Sequence, residues 1–219
     1  MKKILISTIL AVFFTFSASA NTNIGVSISA ANMDASGSHT TNSSGSDSGG
    51  AAVNASGEAD FEMASFFIEK ELEYNGVNLA IGLDALPMST EVSSLGGGDG
   101  FDATVEVGNL MTAYIQPSFD AGAFSVYLKA GVASVDVDIS NISRQATTAG
   151  TASTDSDQSK HATGPMYGAG IQTGMADGFI RLEYTNTDFD EISHTNSNGK
   201  VVKADSELTT IRVSFGKSF

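Results

Sequence analysis

Glu207-Leu-Thr-Thr-Ile-Arg-Val-Ser-Phe-Gly-Lys-Ser-Phe219 alternates from end to end. Counting back in twos from Phe219 gives Lys217, Phe215, Val213, Ile211 and Thr209, and between them stand Ser218, Gly216, Ser214, Arg212, Thr210 and Leu208. A period of two is a strand. One face is largely apolar and the other small or polar. The stretch stops on an aromatic residue with no following segment to cover its apolar face, which points to lipid rather than to a soluble core. Lys217 interrupts the apolar register, and its long stem lets the ammonium snorkel to the edge of such a layer.

At the opposite end, Lys2 and Lys3 precede a largely apolar run from Ile4 to Phe16, then Ser17-Ala18-Ser19-Ala20. A basic start, an apolar middle and an A-x-A site form a secretory signal peptide. The run is shorter than the roughly 20 residues that a spanning helix needs. Residues 1–20 are therefore expected to be cleaved after Ala20, with Ala18 and Ala20 as the small residues of the site, leaving one domain over 21–219.

Removing Lys2 and Lys3 from 11 basic residues leaves 9 against 25 acidic ones, a formal charge of about −16. Phosphate binding needs a basic face, so a nucleic-acid partner is excluded. With 0 cysteines, neither a disulfide nor a lipidated N-terminal cysteine is available. After the leader no stretch approaches a transmembrane helix, but a transmembrane barrel hides its apolar face in alternation with a polar one.

The rest of the chain repeats one scheme of strand, long polar loop, strand and short turn. Ile24, Val26, Ile28 and Ala30 alternate with Gly25, Ser27 and Ser29. A second strand, Asp60 to Tyr74, sets Ala64, Phe66, Ile68 and Leu72 against Ser65, Phe67, Glu69, Glu71 and Glu73. Asn75-Gly76 is a tight hairpin turn. The third strand puts Val77, Leu79, Ile81 and Leu83 outward and Asn78, Ala80, Gly82 and Asp84 inward, and Pro87 ends it. The fourth, Ala103 to Pro117, carries Asn109 in the apolar register of Met111, Ala113 and Ile115, which predicts a bulge near Gly108. The fifth shows Phe124, Val126, Leu128, Ala130 and Val132, and beyond Ser134 the apolar phase switches to Val135, Val137 and Ile139, expected to rise above the membrane. Tyr167 to Met175 and Ile180 to Tyr184 are the sixth and seventh, joined at Ala176-Asp177-Gly178. The loops fall at 34–57, 87–102, 140–163 and 190–206, rich in Ser, Thr, Gly and Asn. Such composition buries no core and predicts mobile segments.

The predicted fold class is all-β: an eight-stranded antiparallel transmembrane barrel with up-and-down meander connections and both chain ends on the periplasmic side. Tyr74, Phe119, Phe179 and Phe219 fall at the short-turn or terminal end, as an aromatic girdle would. A soluble β-sandwich is the competing fold, and it leaves the terminal aromatic strand after a signal peptide unexplained.

Gly168-Ala-Gly-Ile171, Arg181-Leu-Glu-Tyr-Thr-Asn-Thr-Asp-Phe189 and Val213-Ser-Phe-Gly-Lys-Ser-Phe219 together resemble the OmpA/Opacity-type eight-stranded outer-membrane barrel family over essentially the whole mature chain. The resemblance implies a Gram-negative outer-membrane location amid outer-membrane lipids and lipopolysaccharide. It also implies delivery by periplasmic chaperones and a C-terminal signal, Ile211, Val213, Phe215 and Phe219, read by the barrel assembly machinery. The peptidoglycan-binding domain of longer relatives is expected to be missing.

Eight strands enclose only enough space for side chains to fill. Glu69, Glu71, Lys129, Arg181, Glu183 and Arg212 all take the inward register, and an internal salt-bridge network plugging the lumen follows, with a gated ion path as the alternative. Glu71 and Arg181 are expected low in the barrel, with Glu69, Lys129 and Arg212 nearer mid-height. His39, His161 and His194 all fall in expected loops, with Ser159 near His161 and Ser193 beside His194 as local pairings. No convergent hydrolytic site results, so the chain reads as no enzyme and no cofactor is expected. The loops carry Asp47, Asp99, Asp155, Asp157, Asp190, Glu191 and Asp205 against Arg144, Lys160, Lys200 and Lys203. They form a hydrated surface without a calcium-loop spacing, and no metal site is expected. The function that fits is a structural envelope barrel with slow passage of small solutes or ions. A surface adhesin or receptor binding partners through the four loops is the alternative.

Overall fold

The computed structural model describes residues 21–40, 53–74, 77–87, 89–97, 101–144, 153–154, 158–175, 178–195 and 201–219. The expected signal peptide lies outside them. Ten strands are present among the described residues: β1 (Thr22–Thr40), β2 (Val53–Tyr74), β3 (Val77–Leu86), β4 (Thr90–Gly97), β5 (Phe101–Asp120), β6 (Ser125–Arg144), β7 (Ser153–Thr154), β8 (Gln158–Met175), β9 (Gly178–Thr195) and β10 (Val201–Ser218). They occupy eight places in an antiparallel wall. β3 and β4 both pair with β5, Leu86 opposite Leu110 and Thr90 opposite Val107, so they are one place interrupted after Pro87, which has no N–H to give to a ladder. In the same way β7 and β8 both pair with β6.

The wall closes on itself through β1 and β10. Thr22 and Phe219 exchange backbone hydrogen bonds of 3.1 and 2.9 Å across that seam. Following the direct partners from Asn23 through Glu69, Gly82, Tyr114, Gly131, Met166, Thr187 and Leu208 leads back to β1 at Met33, ten positions further along. Closure with that stagger requires tilted strands, as in other barrels. The turn after β5 is held by Ala121 N–H donating to Phe124 O at 2.8 Å, with Gly122 at φ 89°. The expected bulge in β5 is present: pairing with β6 shifts between Gly108 and Met111, and Asn109 takes a left-handed φ of 51°.

The outer face is apolar in the lower part of the long strands. Ile24, Val26 and Ile28 on β1, Leu128 and Val132 on β6, Leu182 and Tyr184 on β9, and Ile211, Val213 and Phe215 on β10 all stand exposed. In water such a belt would drive association, whereas in a bilayer it is the solvated surface. On β6 the outward residues then become Ser134, Asp136 and Asp138, while the inward ones change from Tyr127 and Lys129 to Ala133, Val135 and Val137. Pairing with β8 runs unbroken from Ser125 opposite Gln172 to Ile139 opposite Gln158. The phase switch in the sequence is thus an exchange of surroundings at constant register. Below Ser134 the wall is apolar outside and charged inside; above it the outside is polar and the inside apolar. Ala31, Met33, Met63, Val135, Phe189 and Leu208 belong to the interior cluster of the upper zone.

Two expectations are corrected. The stretches expected as loops are largely strand: β1 runs to Thr40, β4 lies within 87–102, β6 runs to Arg144, and β8, β9 and β10 take up much of 140–163 and 190–206. Small polar residues form a ladder because its hydrogen bonds come from the backbone, and the apolar cluster inside supplies the burial that the composition hid. Asp47, Asp99, Asp155, Asp157 and Lys200 lie outside the described residues. Phe179 is not part of a girdle, being 4% exposed with its ring 6.2 Å from that of Phe67 inside the barrel. Phe119 and Phe219 do stand exposed at the short-turn end, where Lys217 Nζ lies 5.6 Å from the Phe219 ring, and the Tyr74 side chain lies outside the described residues.

Candidate functional site

The charges of the lower lumen come from the inward positions of five strands. Alternation alone places Glu69 on β2, Asp84 on β3, Lys129 on β6, Arg181 and Glu183 on β9 and Arg212 on β10 inside, because their neighbours in sequence belong to the lipid face. Glu69 is fully buried, and Arg181 grips it with both nitrogens of its fork, Nη1 to Oε1 at 2.6 Å and Nη2 to Oε2 at 2.7 Å. Lys129 Nζ donates to both oxygens of Glu183 at 3.0 Å. Arg212 Nη1 donates to Asp84 Oδ2 at 2.8 Å and lies 3.8 Å from Glu183 Oε1, which links the second and third pairs. Three carboxylates face three cations, so the buried set is neutral in sum.

Neutral partners complete the shell, as buried charges require. Tyr114 donates to Glu69 at 2.7 Å and Tyr127 donates to Glu183 at 3.1 Å. Arg181 Nε donates to Gln172 at 2.6 Å, and Arg212 Nε to Ser29 at 3.1 Å. Ser65 donates to Asp84 at 3.1 Å. The Arg181 guanidinium also lies 4.4 Å from the Phe179 ring and 5.3 Å from that of Phe67, while Lys129 Nζ lies 3.9 Å over Tyr114. Each aromatic ring lies across the strand from a glycine. A Cβ on Gly82 would come within 2.3 Å of the Tyr114 ring, and one on Gly170 within 2.5 Å of Tyr127.

Of the six charges expected in the network, five form its ion pairs. Glu71 stays outside them: half-buried near the mouth, it accepts from Asn23 Nδ2 at 2.8 Å. Glu69, expected higher than Arg181, is bonded to it directly, because the stagger of the wall offsets residue count from height. Asp84, Tyr114 and Tyr127 were not foreseen as members. The inward register of all three was legible from alternation, whereas the glycine opposite each tyrosine is placed by the pairing between strands, which local sequence does not show.

Above the network the lumen turns apolar. Where the zones meet, a cavity of about 10 Å3 is lined by Asp84, Leu110, Lys129, Glu183, Leu208 and Arg212 among others. That is room for about one water molecule. The upper outer wall is acidic: Asp34 pairs with Glu58 on one side and Glu207 on the other, and Asn32 Nδ2 donates to Glu58 at 2.7 Å and to Asp60 at 2.8 Å. There Lys203 donates to Glu191 at 2.7 Å, and that bond raises the pKa of its ammonium above the ordinary lysine value.

The histidines do not lie in loops. His39, His161 and His194 belong to β1, β8 and β9, and the side chains of His39 and His194 lie outside the described residues. His161 meets Ser134 and Asp136 on the outer wall, at 3.0 and 2.8 Å.

A family profile described as outer membrane protein beta-barrel domain matches residues 6–219. Among solved structures, the outer membrane protein OprG from Pseudomonas aeruginosa superposes with a TM-score of 0.54 at 15% identity, over 91% of this chain and 96% of that chain. The Escherichia coli outer membrane protease OmpT gives 0.46 at 10% identity, over 94% and 99%. Ail of Yersinia pestis, solved in complex with the heparin analogue sucrose octasulfate, gives 0.38 at 15%, over 87% and 98%. At these identities the likeness is one of fold, and the last two superpose too loosely to bear on the site. No curated protein matches the chain.

Proposed function

Since this chain belongs to the outer membrane protein beta-barrel domain family, we propose that it serves the bacterial outer membrane as a scaffold of the envelope, with a lumen that is filled rather than open. The observation that carries this is the stacking of two plugs: mutually neutralised ion pairs below, apolar side chains above, and room for about one water between them. Any passage of small solutes or ions is slow, because it has to part ion pairs that have no bulk water to take over. Planar-bilayer conductance of the refolded mature protein tests this. The expected record is closed for most of the time with rare, small openings; a sustained large conductance contradicts it.

A second reading, adhesion to a surface partner, draws support from strand length. The strands other than β3, β4 and β7 run 18 to 22 residues, where a bilayer needs about 9 to 11. A tall wall therefore stands outside the lipid. Shortened hairpins that keep the barrel folded and abolish binding to cells would favour this role. Lipopolysaccharide and lipids around the belt are the proposed surroundings. Chaperones and the assembly machinery are the proposed early partners, reading the outward face of Ile211, Val213, Phe215 and Phe219.

A further inference from the structure

Three side chains on the outer wall are arranged in a way that neither the plug nor the lipid belt requires. Ser134 and Asp136 are successive outward residues of β6, and His161 on β8 stands directly opposite Asp136. His161 Nε2 lies 3.0 Å from Ser134 Oγ, and Nδ1 lies 2.8 Å from Asp136 Oδ1. The second oxygen of Asp136 accepts from Asn109 Nδ2 at 3.1 Å. Asn109 reaches it from the β5 bulge, where its left-handed backbone takes it out of the pairing with β6. Hydroxyl, imidazole and carboxylate thus form one chain with an amide fixing its far end. With Nδ1–H donating to Asp136, Nε2 offers a lone pair to the serine hydroxyl, which is the tautomer a general base needs.

The position of the chain names its substrate class. Ser134 is the first polar outward residue above the belt on β6; Val132 lies just below it on the same face, and Met111 is its direct partner on β5. Both apolar side chains are exposed, so an acyl chain lying along Val132 and Met111 brings its ester linkage to the level of Ser134. We infer that Ser134 and His161, positioned by Asp136 and Asn109, form an esterase site on the outer wall for fatty-acyl esters of lipids in the outer leaflet. The inference takes its membrane placement from the reading above but not the state of the lumen, and it departs from the expectation of no hydrolytic site, which rested on placing the histidines in loops.

Ser134 Oγ attacks the ester carbonyl carbon while its proton passes to His161 Nε2. Collapse of the tetrahedral intermediate breaks the bond to the alkoxy oxygen, which leaves as the alcohol with that proton. Water then attacks the acyl-serine, gives its proton to Nε2, and the fatty acid departs as Oγ is reprotonated. Ester and water are consumed, acid and alcohol are formed, and the protein returns unchanged.

The test uses the full mature barrel refolded in micelles, with heat-modifiable gel migration to establish that each variant is folded. A fluorophosphonate probe is expected to label Ser134, and Ser134→Ala to abolish both labelling and hydrolysis of p-nitrophenyl palmitate. His161→Gln should slow hydrolysis by about a hundredfold or more. Asp136→Asn should lower kcat with little change in KM, whereas Ser159→Ala leaves kcat and KM unchanged. Fatty acid released from phosphatidylethanolamine vesicles, or instead from vesicles containing lipopolysaccharide, identifies which lipid carries the ester. An unlabelled Ser134 in folded protein, hydrolysis unchanged in folded Ser134→Ala, or no fatty acid from either kind of vesicle overturns the inference.

Discussion

Arg181 is held by a carboxylate fork, a glutamine and the rings of Phe67, Phe179 and Tyr127. Removing it leaves Glu69 charged in a place without water, so Arg181→Ala should lower the unfolding free energy by about 3 to 5 kcal/mol, read from urea unfolding in micelles. Removing Glu69 as well should cost less than the two single losses added together. Arg181→Lys should recover part of the loss, since an ammonium cannot reproduce the fork. Gly82→Ala is expected to destabilise by about 1 to 3 kcal/mol, because its Cβ meets a Tyr114 ring fixed by Glu69 and cannot be accommodated without moving it. At this scale the inward charges were legible from parity alone. Their pairing was not, because it depends on a stagger that carries Glu69 on β2 to Arg181 on β9, and stagger leaves no mark in a local pattern. The Ser134–His161 contact was hidden for a related reason: the partners are brought together by the β6–β8 register, and proximity in sequence pointed to Ser159 instead.

Among the elements, β6 shows most clearly how one strand serves two surroundings. Leu128 is 59% exposed at mid-belt, so Leu128→Arg should cost about 2 to 4 kcal/mol in lipid vesicles. Asp138→Arg, on the same face but above the belt, should leave the unfolding midpoint nearly unchanged. The Asn109 bulge gives a second contrast: Asn109→Gly is tolerated by the backbone, whereas Asn109→Val forces a β-branched residue into a left-handed conformation and should destabilise by about 1 to 3 kcal/mol. The bulge and the change of phase on β6 could be read in advance because each disturbs a period of two. The upper strands could not, since Ser, Thr, Gly and Asn give no period of their own, and the buried residues that order them, such as Met33, Phe189 and Leu208, are few on each strand and meet only across the lumen.

For the whole molecule, closure, belt and plug are three consequences of one wall with a change of surroundings at the level of Ser134. Phe219→Ser should reduce the amount assembled in the outer membrane while leaving refolding in micelles intact, because the assembly reading concerns recognition rather than packing. The chain has 0 cysteines, so single cysteines report without background. The decisive measurement is a one-by-one cysteine scan from Val126 to Asp138 in vesicles, read with a water-soluble maleimide. Positions 126, 128, 130 and 132 should stay unreactive in lipid, 134, 136 and 138 should react, and the inward positions 127 to 137 should stay unreactive inside a filled lumen. Labelling at 133, 135 or 137 would show a water-filled channel and contradict the closed barrel.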